Sequence, residues 1–489
     1  MAILLENASI VTLDAARPVL AGRQILVHEG AIAAVGRRID ARAVRITRRI
    51  DCAHRIVMPG LVNAHSHLTE ILQKSFRDNV RMEIWRQYRA GTEELAKLGP
   101  GEIGAAAELA CAEMLKSGVT SVVDHFSTRP GLSVDKMEAI LGAFEKTGIR
   151  GMLAPSLRDQ DFMRLAALAP KRRKLEKSAP EPWKDEVLAV LARLGRRSSI
   201  SGILLGPSSP MNCSDNLLRD VVEVAARFGL GIHTHLLETR LQSWAARKLH
   251  KKSLCAHLEE IGFLSSRLSA AHGIWLDGAE MDLLAAAGAS VVHNPASNLK
   301  LGSGIARVAE LKARGVNVAL GTDGGDTSDT YSIFEQMRLA AFLSRVGVED
   351  PARWITALDA LRMGTVNGAQ AVPAWRGKIG RVRPGYRADL VLLKPALRLR
   401  PLRDIVHQLV FCESGQSVDA VLVDGRLVVE DGRLVGVDEE RLIRRVEPIS
   451  KKMHRLYRRV EKESRRALGT AERLYKKSFR AKGPGRALS

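Results

Sequence analysis

At 489 residues the chain is long enough for one large domain and a smaller one, and a 46% hydrophobic content with only 18 prolines excludes a disordered protein. Cys52, Cys111, Cys213, Cys255 and Cys412 stand at wide spacings with no Cys-x-x-Cys pair, which excludes a disulfide framework or a thiolate zinc site and fits a reducing compartment. The net charge of +21 raises nucleic acid or a membrane surface as partners, but about half of it lies in residues 451–489, where 14 Lys and Arg accompany 3 Glu.

The first residues lack the basic start and apolar segment of a signal peptide, and no run of about 18 apolar residues occurs, so a soluble, cytoplasmic protein without a membrane partner is expected. The opening then reads as short strands at 3–5, 9–12, 24–27 and 31–36, punctuated by Gly, Asp and Pro. The same texture returns at 388–393, 418–423 and 426–429, with Asp424-Gly425 and Asp431-Gly432 as tight turns. Two strand-rich ends around a different middle predict a small β-sandwich domain assembled from both termini.

Between them, runs of β-formers at 56–65, 120–124, 149–155, 200–207, 230–236, 268–272, 289–293 and 316–323 alternate with helical patterns such as 103–117, 216–228, 279–287 and 332–344. Eight strands alternating with helices predict a (β/α)8 TIM barrel, whose chemistry sits at the C-terminal ends of the strands. The basic run from Lys171 to Lys177 reads as a charged surface helix or insertion. Met453, Leu456, Tyr457 and Val460 fall at i, i+3, i+4 and i+7, which predicts one or two helices over 440–479 with a basic exposed face. The expected division is therefore 1–56 and 377–437 for the β-sandwich, 57–376 for the barrel and 438–489 for a basic helical tail.

The strand ends carry the chemistry. The first run stops at Pro59-Gly60-Leu61-Val62-Asn63-Ala64-His65-Ser66-His67, and side chains at i and i+2 share one face of an extended segment, so two imidazoles converge. The fifth ends with His233, His235 and Glu238, the sixth at His272, the seventh at His293 and the eighth at Asp323. Two histidines from strand one, one from strand five and an aspartate from strand eight make a nitrogen-rich site suited to Zn²⁺, with Fe²⁺ as the alternative and a position left for water. Spacing alone leaves His233 and His235 both open as the strand-five ligand.

Together with His235-Leu236-Leu237-Glu238-Thr239, His272-Gly273, His293-Asn294-Pro295-Ala296-Ser297-Asn298-Leu299-Lys300-Leu301 and Gly321-Thr322-Asp323-Gly324, the first-strand motif resembles the amidohydrolase superfamily. Within it the similarity is to the branch of S-adenosylhomocysteine/adenosine-type deaminases, guanine deaminases and triazine chlorohydrolases. It covers residues 1 to about 436, including Gly377-Lys378-Ile379-Gly380, Pro384-Gly385 and Ala388-Asp389-Leu390 where the chain returns to the β-domain.

The resemblance implies one divalent metal ion held by His65, His67, His235 and Asp323, with Glu238 and His272 as the acid/base pair beside it. Glu238 lies three residues past His235, where the chain leaves the strand, so its carboxylate can reach the space above the metal. Strand four offers no lysine in Ile203-Leu204-Leu205-Gly206-Pro207, so a carboxylated-lysine dinuclear site is not expected. The implied reaction is hydrolytic deamination of an amino-substituted N-heterocycle of purine, pterin, pyrimidine or triazine type. In it Asp323 takes a proton from the attacking water, Glu238 protonates a ring nitrogen and His272 stabilises the new oxygen.

Glu83 and Trp85 occupy the place where nucleoside-type relatives carry a substrate-contacting Glu near a Trp, and Arg158 and His293 are further substrate-binding candidates, with His293 and His125 read as pocket lining. Ser208-Ser209-Pro210 departs from the His-containing strand-four loop of many nucleoside deaminases. Two alternatives stand beside the deaminase. One is a hydrolase of a cyclic amide or of a chloro- or alkylamino-triazine on the same site; the other is a non-catalytic nucleic-acid-binding protein using the basic tail, the less favoured because the ligand set is intact. A small-molecule substrate and a homodimer or higher homo-oligomer are the expected partners.

Overall fold

The computed structural model describes residues 2–14, 16–88, 97–127, 132–162, 183–194 and 198–480; the basic run 171–177 lies outside them. Among the described residues, eight consecutive strand regions close a parallel barrel. Leu61–His67, Val119–Phe126 and Arg150–Leu157 lie side by side, flanked by Ser201–Ile203 and Gly206–Pro207. Ile232–Leu236, Leu268–His272, Ser290–His293 and Asn317–Leu320 form the other half. The halves join through the parallel bridge Leu205–Ile232 on one side, and on the other through Asp323–Gly324, which pairs with Ser66 and His67. Every residue of Leu61–His67 and Val119–Phe126 is buried, as strands covered by helices outside and by packed side chains inside must be.

The expected single strand at 56–65 divides at Gly60. Ile56–Pro59 belongs to the terminal sheet, parallel to Ala2–Val11 and antiparallel to Leu390–Leu393, and the chain enters the barrel only at Leu61. An apolar run has no period that tells one buried sheet from another, so pattern alone merged the two. Glycine is required at the crossing because a β-carbon there would overlap the Thr120 side chain.

The terminal strands form one connected nine-stranded sheet in which Ile56–Pro59 and Ala2–Val11 lie between the C-terminal strands and Val19–His28 with Ala31–Gly36. Arg48–Asp51 adds beside Ala2–Val11; its exposed Arg-Arg-Ile-Asp composition did not read as a strand. Period-two alternation sorts the two faces. Ile56, Met58, Val391, Leu393 and Val421 join the core shared with the barrel, whereas Val57, Leu390, Leu392 and Leu422 join a second core with Ile3, Leu5 and Ile25.

The tail is a single helix, Glu439–Arg480. Leu442, Val446, Ile449 and Met453 are buried against the chain's own core, each worth about 1.5–3 kcal/mol. Lys116 pairs with Glu439 at 2.6 Å and Lys452 with Glu102 at 2.9 Å, while Arg445 pairs with Glu108. The helix is thus a docked part of the fold, with some of its basic side chains spent on the barrel.

A buried ion cluster fastens barrel to terminal sheet. Arg150, at the start of the third barrel strand, contacts Asp389 at 2.7 and 3.0 Å and Asp424 at 3.0 Å. Its Asp389 partner also accepts from the Asp424 N–H at 2.8 Å. Asp424 also pairs with Arg387 at 2.5 Å, so removing the Arg150 guanidinium would leave the buried Asp389 carboxylate as the one without a cation. Arg150→Ala is expected to cost about 3–5 kcal/mol in chemical denaturation, and a loss under about 1 kcal/mol would show that the cluster does not couple the two parts.

Candidate metal centre and active site

Strand ends one, five, six and eight bring His65, His67, His235, His272 and Asp323 to one rim. The Asp323 carboxylate Oδ1 lies 3.3 Å from His65 Nε2 and 3.2 Å from His67 Nε2, and His67 Nε2 lies 3.3 Å from His235 Nε2. Ligand-type atoms of His65, His235, His272 and Asp323 fall within 4.8 Å of one another, as do those of His67, His125 and His235.

Each imidazole is aimed by its other nitrogen. His67 Nδ1 donates to the His125 carbonyl at 2.6 Å and His235 Nδ1 to the Ser208 carbonyl at 2.5 Å, so each keeps its proton on Nδ1 and turns the Nε2 lone pair inward. His65 Nδ1 meets His233 Nε2 at 2.8 Å, while His65 Nε2 is buried with no hydrogen-bond partner. His233 in turn bonds Ser269 Oγ through Nδ1 at 2.7 Å, so both its ring nitrogens are spent on protein groups. That resolves geometrically what the spacing left open: His235, rather than His233, presents a nitrogen to the cluster.

The local backbone is bent to this purpose. Leu237, His272 and Asp323 have φ of +44°, +74° and +65°, in the left-handed region that a β-carbon disfavours by on the order of 1–3 kcal/mol each. Gly321 lets the eighth strand approach the first, since a β-carbon there would lie 2.8 Å from His65 Cβ. Asn63 and Thr322 exchange two hydrogen bonds, of 2.7 and 3.0 Å, across the same seam.

Charge states follow from burial and pairing. Burial pushes His65 down to about 4 and holds His233 and His235 well below the ordinary imidazole range, so all three rings are neutral at pH 7. Burial works against ionisation of Asp323, yet its contacts with His65 and His67 hold it well below the usual carboxylate range. Neutral imidazoles around an ionised carboxylate are the protonation states a divalent ion needs, and the orphaned His65 Nε2 is a donor atom awaiting one. The residues present therefore fit a metal ion.

The supporting groups come largely from one motif. Ser297 Oγ donates to Asp323 Oδ2 at 2.5 Å, and His272 Nδ1 donates to Asn298 Oδ1 at 2.8 Å. Both partners belong to Asn294-Pro295-Ala296-Ser297-Asn298, a run that carries part of the family resemblance and to which the sequence assigned no role in aiming these side chains. His125, read as pocket lining, supplies its carbonyl to His67 and its Nε2 to the Gly206 carbonyl at 3.0 Å.

Glu238 is buried just past the fifth strand, its N–H donating to Gln242 Oε1 at 2.7 Å. Glu83, in the helix Met82–Tyr88, is buried beside Thr239, with Oε1 lacking a partner. Burial pushes its carboxyl up, opposed by Thr239 and the Arg81 charge. Trp85 donates from Nε1 to Asp326 Oδ2 at 2.9 Å. His293 is buried at the seventh strand end with neither ring nitrogen bonded, and burial lowers it to about 3. Arg158 is half-buried past the third strand.

The amidohydrolase family model matches residues 56–428. The chain belongs to the amidohydrolase family. As a member it is a hydrolase of carbon–nitrogen bonds. It is 32% identical over 462 residues to the 5'-deoxyadenosine deaminase of Methanosarcina barkeri, covering 92% of this chain and 98% of that one. It is 33% identical over 459 residues to the 5-methylthioadenosine/S-adenosylhomocysteine deaminase of Acetivibrio thermocellus, covering 93% and 100%. Among solved structures, a zinc-bound adenosine deaminase from Xanthomonas campestris superposes with a TM-score of 0.81 at 27% identity over 93% of this chain and 98% of that one. The atrazine chlorohydrolase of Arthrobacter aurescens, complexed with zinc, does so with 0.82 at 25% identity over 92% and 100%.

Because His233 aims His65, His233→Leu in this amidohydrolase should weaken zinc binding about 10–100-fold with the fold intact. Competition against a chelating dye checks this, and unchanged affinity would remove His233 from the support of the site.

Proposed function

We propose that this amidohydrolase is a zinc-dependent deaminase of an amino-substituted N-heterocycle, and that its substrates are aminopurine nucleosides modified at the 5' position. The observation that carries the reading is the convergence of His65, His67 and His235 Nε2 on the Asp323 carboxylate, with Glu238 three residues past His235. Those four would hold the ion, Zn²⁺ by likeness to the zinc-bound neighbours, with Fe²⁺ as the alternative. When bound, such an ion supplies Lewis acidity and a water nucleophile at neutral pH.

The chain's own groups complete the chemistry. Asp323, ionised, takes a proton from water as its oxygen bonds to the amino-bearing ring carbon. Glu238 delivers a proton to the adjacent ring nitrogen, which makes that carbon electrophilic. With Nδ1–H committed to Asn298, His272 has Nε2 left to hold the incoming oxygen. Asp323 then passes its proton to the amino group, the carbon–nitrogen bond breaks and ammonia leaves, while the hydroxyl proton returns to Glu238 and the oxygen remains as a ring carbonyl.

The nucleoside preference has two supports. The relatives named above are deaminases of 5'-deoxyadenosine and of methylthioadenosine or S-adenosylhomocysteine. Glu83 offers a buried, unpartnered carboxylate oxygen of the kind that accepts from sugar hydroxyls. The triazine reading rests on fold likeness to the chlorohydrolase, and chloride release from atrazine without ammonia release from any nucleoside would establish it instead.

We further read the terminal sheet as the two-layer β-sandwich. Its ends meet, since a β-carbon on Gly425 would touch Gly30 Cα at 2.7 Å, and Ala388 N–H donates to the Gly30 carbonyl at 2.8 Å. Unpaired cysteines, four of them buried, support a reducing compartment such as the cytoplasm. Among the described residues no helix is long and apolar enough to cross a membrane.

Activity should vanish with a chelator and return with Zn²⁺. Glu238→Gln should retain zinc but lose about 10²–10⁴ in kcat, measured by ammonia release; full turnover would sink the assignment. Glu83→Gln should instead raise KM for 5'-deoxyadenosine about 10–100-fold with a smaller change in kcat, and an unchanged KM would take Glu83 out of the binding site.

A further inference from the structure

The end of the C-terminal helix meets the segments that carry the active-site groups. In a barrel the segments following the strands frame the mouth of the site. After strand one, Arg81 lies over the Tyr475 ring at 4.2 Å, two residues before Glu83. After strand five, Arg240 lies over the Phe479 ring at 4.8 Å and donates to the Phe479 carbonyl at 3.4 Å, two residues past Glu238. The same guanidinium sits 5.8 Å from the ring of Trp275, three residues past His272. One helix end therefore touches the approaches to Glu83 and Glu238 directly and, through Arg240, the approach to His272.

The contacts are built into the helix. Ala471, Leu474 and Ser478 are buried at i, i+3 and i+7, which sets Tyr475 and Phe479 beside that face, one turn apart. Further up, Tyr457 packs on Phe76 with ring centroids 4.7 Å apart, so the first-strand segment is gripped at both 76 and 81. The segment is tied elsewhere as well: Ser75 N–H donates to Asp329 Oδ1 at 2.6 Å, Met82 N–H to the Leu301 carbonyl at 3.3 Å, and Trp85 bonds Asp326. Phe479 remains 48% exposed, so its stack on Arg240, more than burial of its own ring, holds it there.

We propose that the last two turns of this helix are a clamp on the active-site rim, in which Tyr475 and Phe479 are positioning residues. Through Arg81 and Arg240 they hold Glu83 and Glu238 in register around the substrate. The kinetic consequence rests on the deaminase reading; the clamp itself does not.

The test compares the zinc-loaded full chain with Y475A/F479A, and with Y475F/F479Y, which keeps both rings. Hydrogen exchange in 76–85 and 238–244 should quicken about tenfold in the alanine pair, stay as in the parent in the ring-preserving pair, and not change in the strand 61–67. KM for 5'-deoxyadenosine should rise about tenfold and kcat should fall with it, because Glu238 is the proton donor, while zinc content stays intact because the metal-facing groups stand on the barrel strands and not on the clamped segments. Unchanged exchange at the rim would overturn the clamp. So would faster exchange spread through the barrel strands with loss of zinc, which would make the helix a general scaffold. Local loosening with no ammonia release by the parent from any nucleoside would uphold the clamp and overturn the substrate reading.

Discussion

Asp323 pairs with Ser66 across the seam of the barrel, and that pairing puts its carboxylate against the two histidines on either side of Ser66. Because parallel strands hold neighbours in fixed register, the contact also sets the height at which strands one and eight end. Asn63 and Thr322 lock the seam one step below, and Gly321 removes the side chain that would hold the strands apart. His235 reaches the cluster from the opposite half, and the rest of the site is arranged around these positions.

The site is also a problem in burying charge. A carboxylate this deep is costly unless something compensates it, and beside the Ser297 hydroxyl that donates to it stand neutral imidazoles. Two imidazole protons are sent outward to the His125 and Ser208 carbonyls, which leaves lone pairs pointing inward. His65, held by His233, keeps a bare nitrogen in the interior. Lone pairs gathered around a carboxylate are unfavourable by themselves and become favourable with a cation among them, so the geometry fits a metal ion. The left-handed backbone at Leu237, His272 and Asp323 belongs to the same arrangement, with strain tolerated where it aims a side chain.

The outer parts serve the same centre. Arg150 ties the third barrel strand to Asp389 and Asp424 of the terminal sheet, so the sheet acts as a brace under the barrel. The C-terminal helix runs from ion pairs with Glu102 and Glu108 to aromatic contacts with Arg81 and Arg240. A stretch whose composition reads as a basic tail is a helix that reaches from the barrel's outer wall to the segments after strands one and five. Part of its charge meets acidic side chains on one barrel helix, Glu102 and Glu108.

By itself the sequence determined which His and Asp side chains stand at strand ends, the order of those strands and close limits for the helices named from it, such as the expected 216–228 against Asp215–Phe228. These are local: a His-x-His on an extended segment converges whatever lies around it, and helical and strand periods are written in neighbouring residues. Only the tertiary structure shows the physical reason that His235, the residue the resemblance implies, faces the cluster: both strand-five histidines share a face, and Ser269 and His65 take up His233. The same holds for the division of 56–65 between two sheets and for Ser297, Asn298 and the C-terminal helix at the rim. Each depends on a partner far away in the chain, and no local pattern encodes which of several buried surfaces a segment will meet.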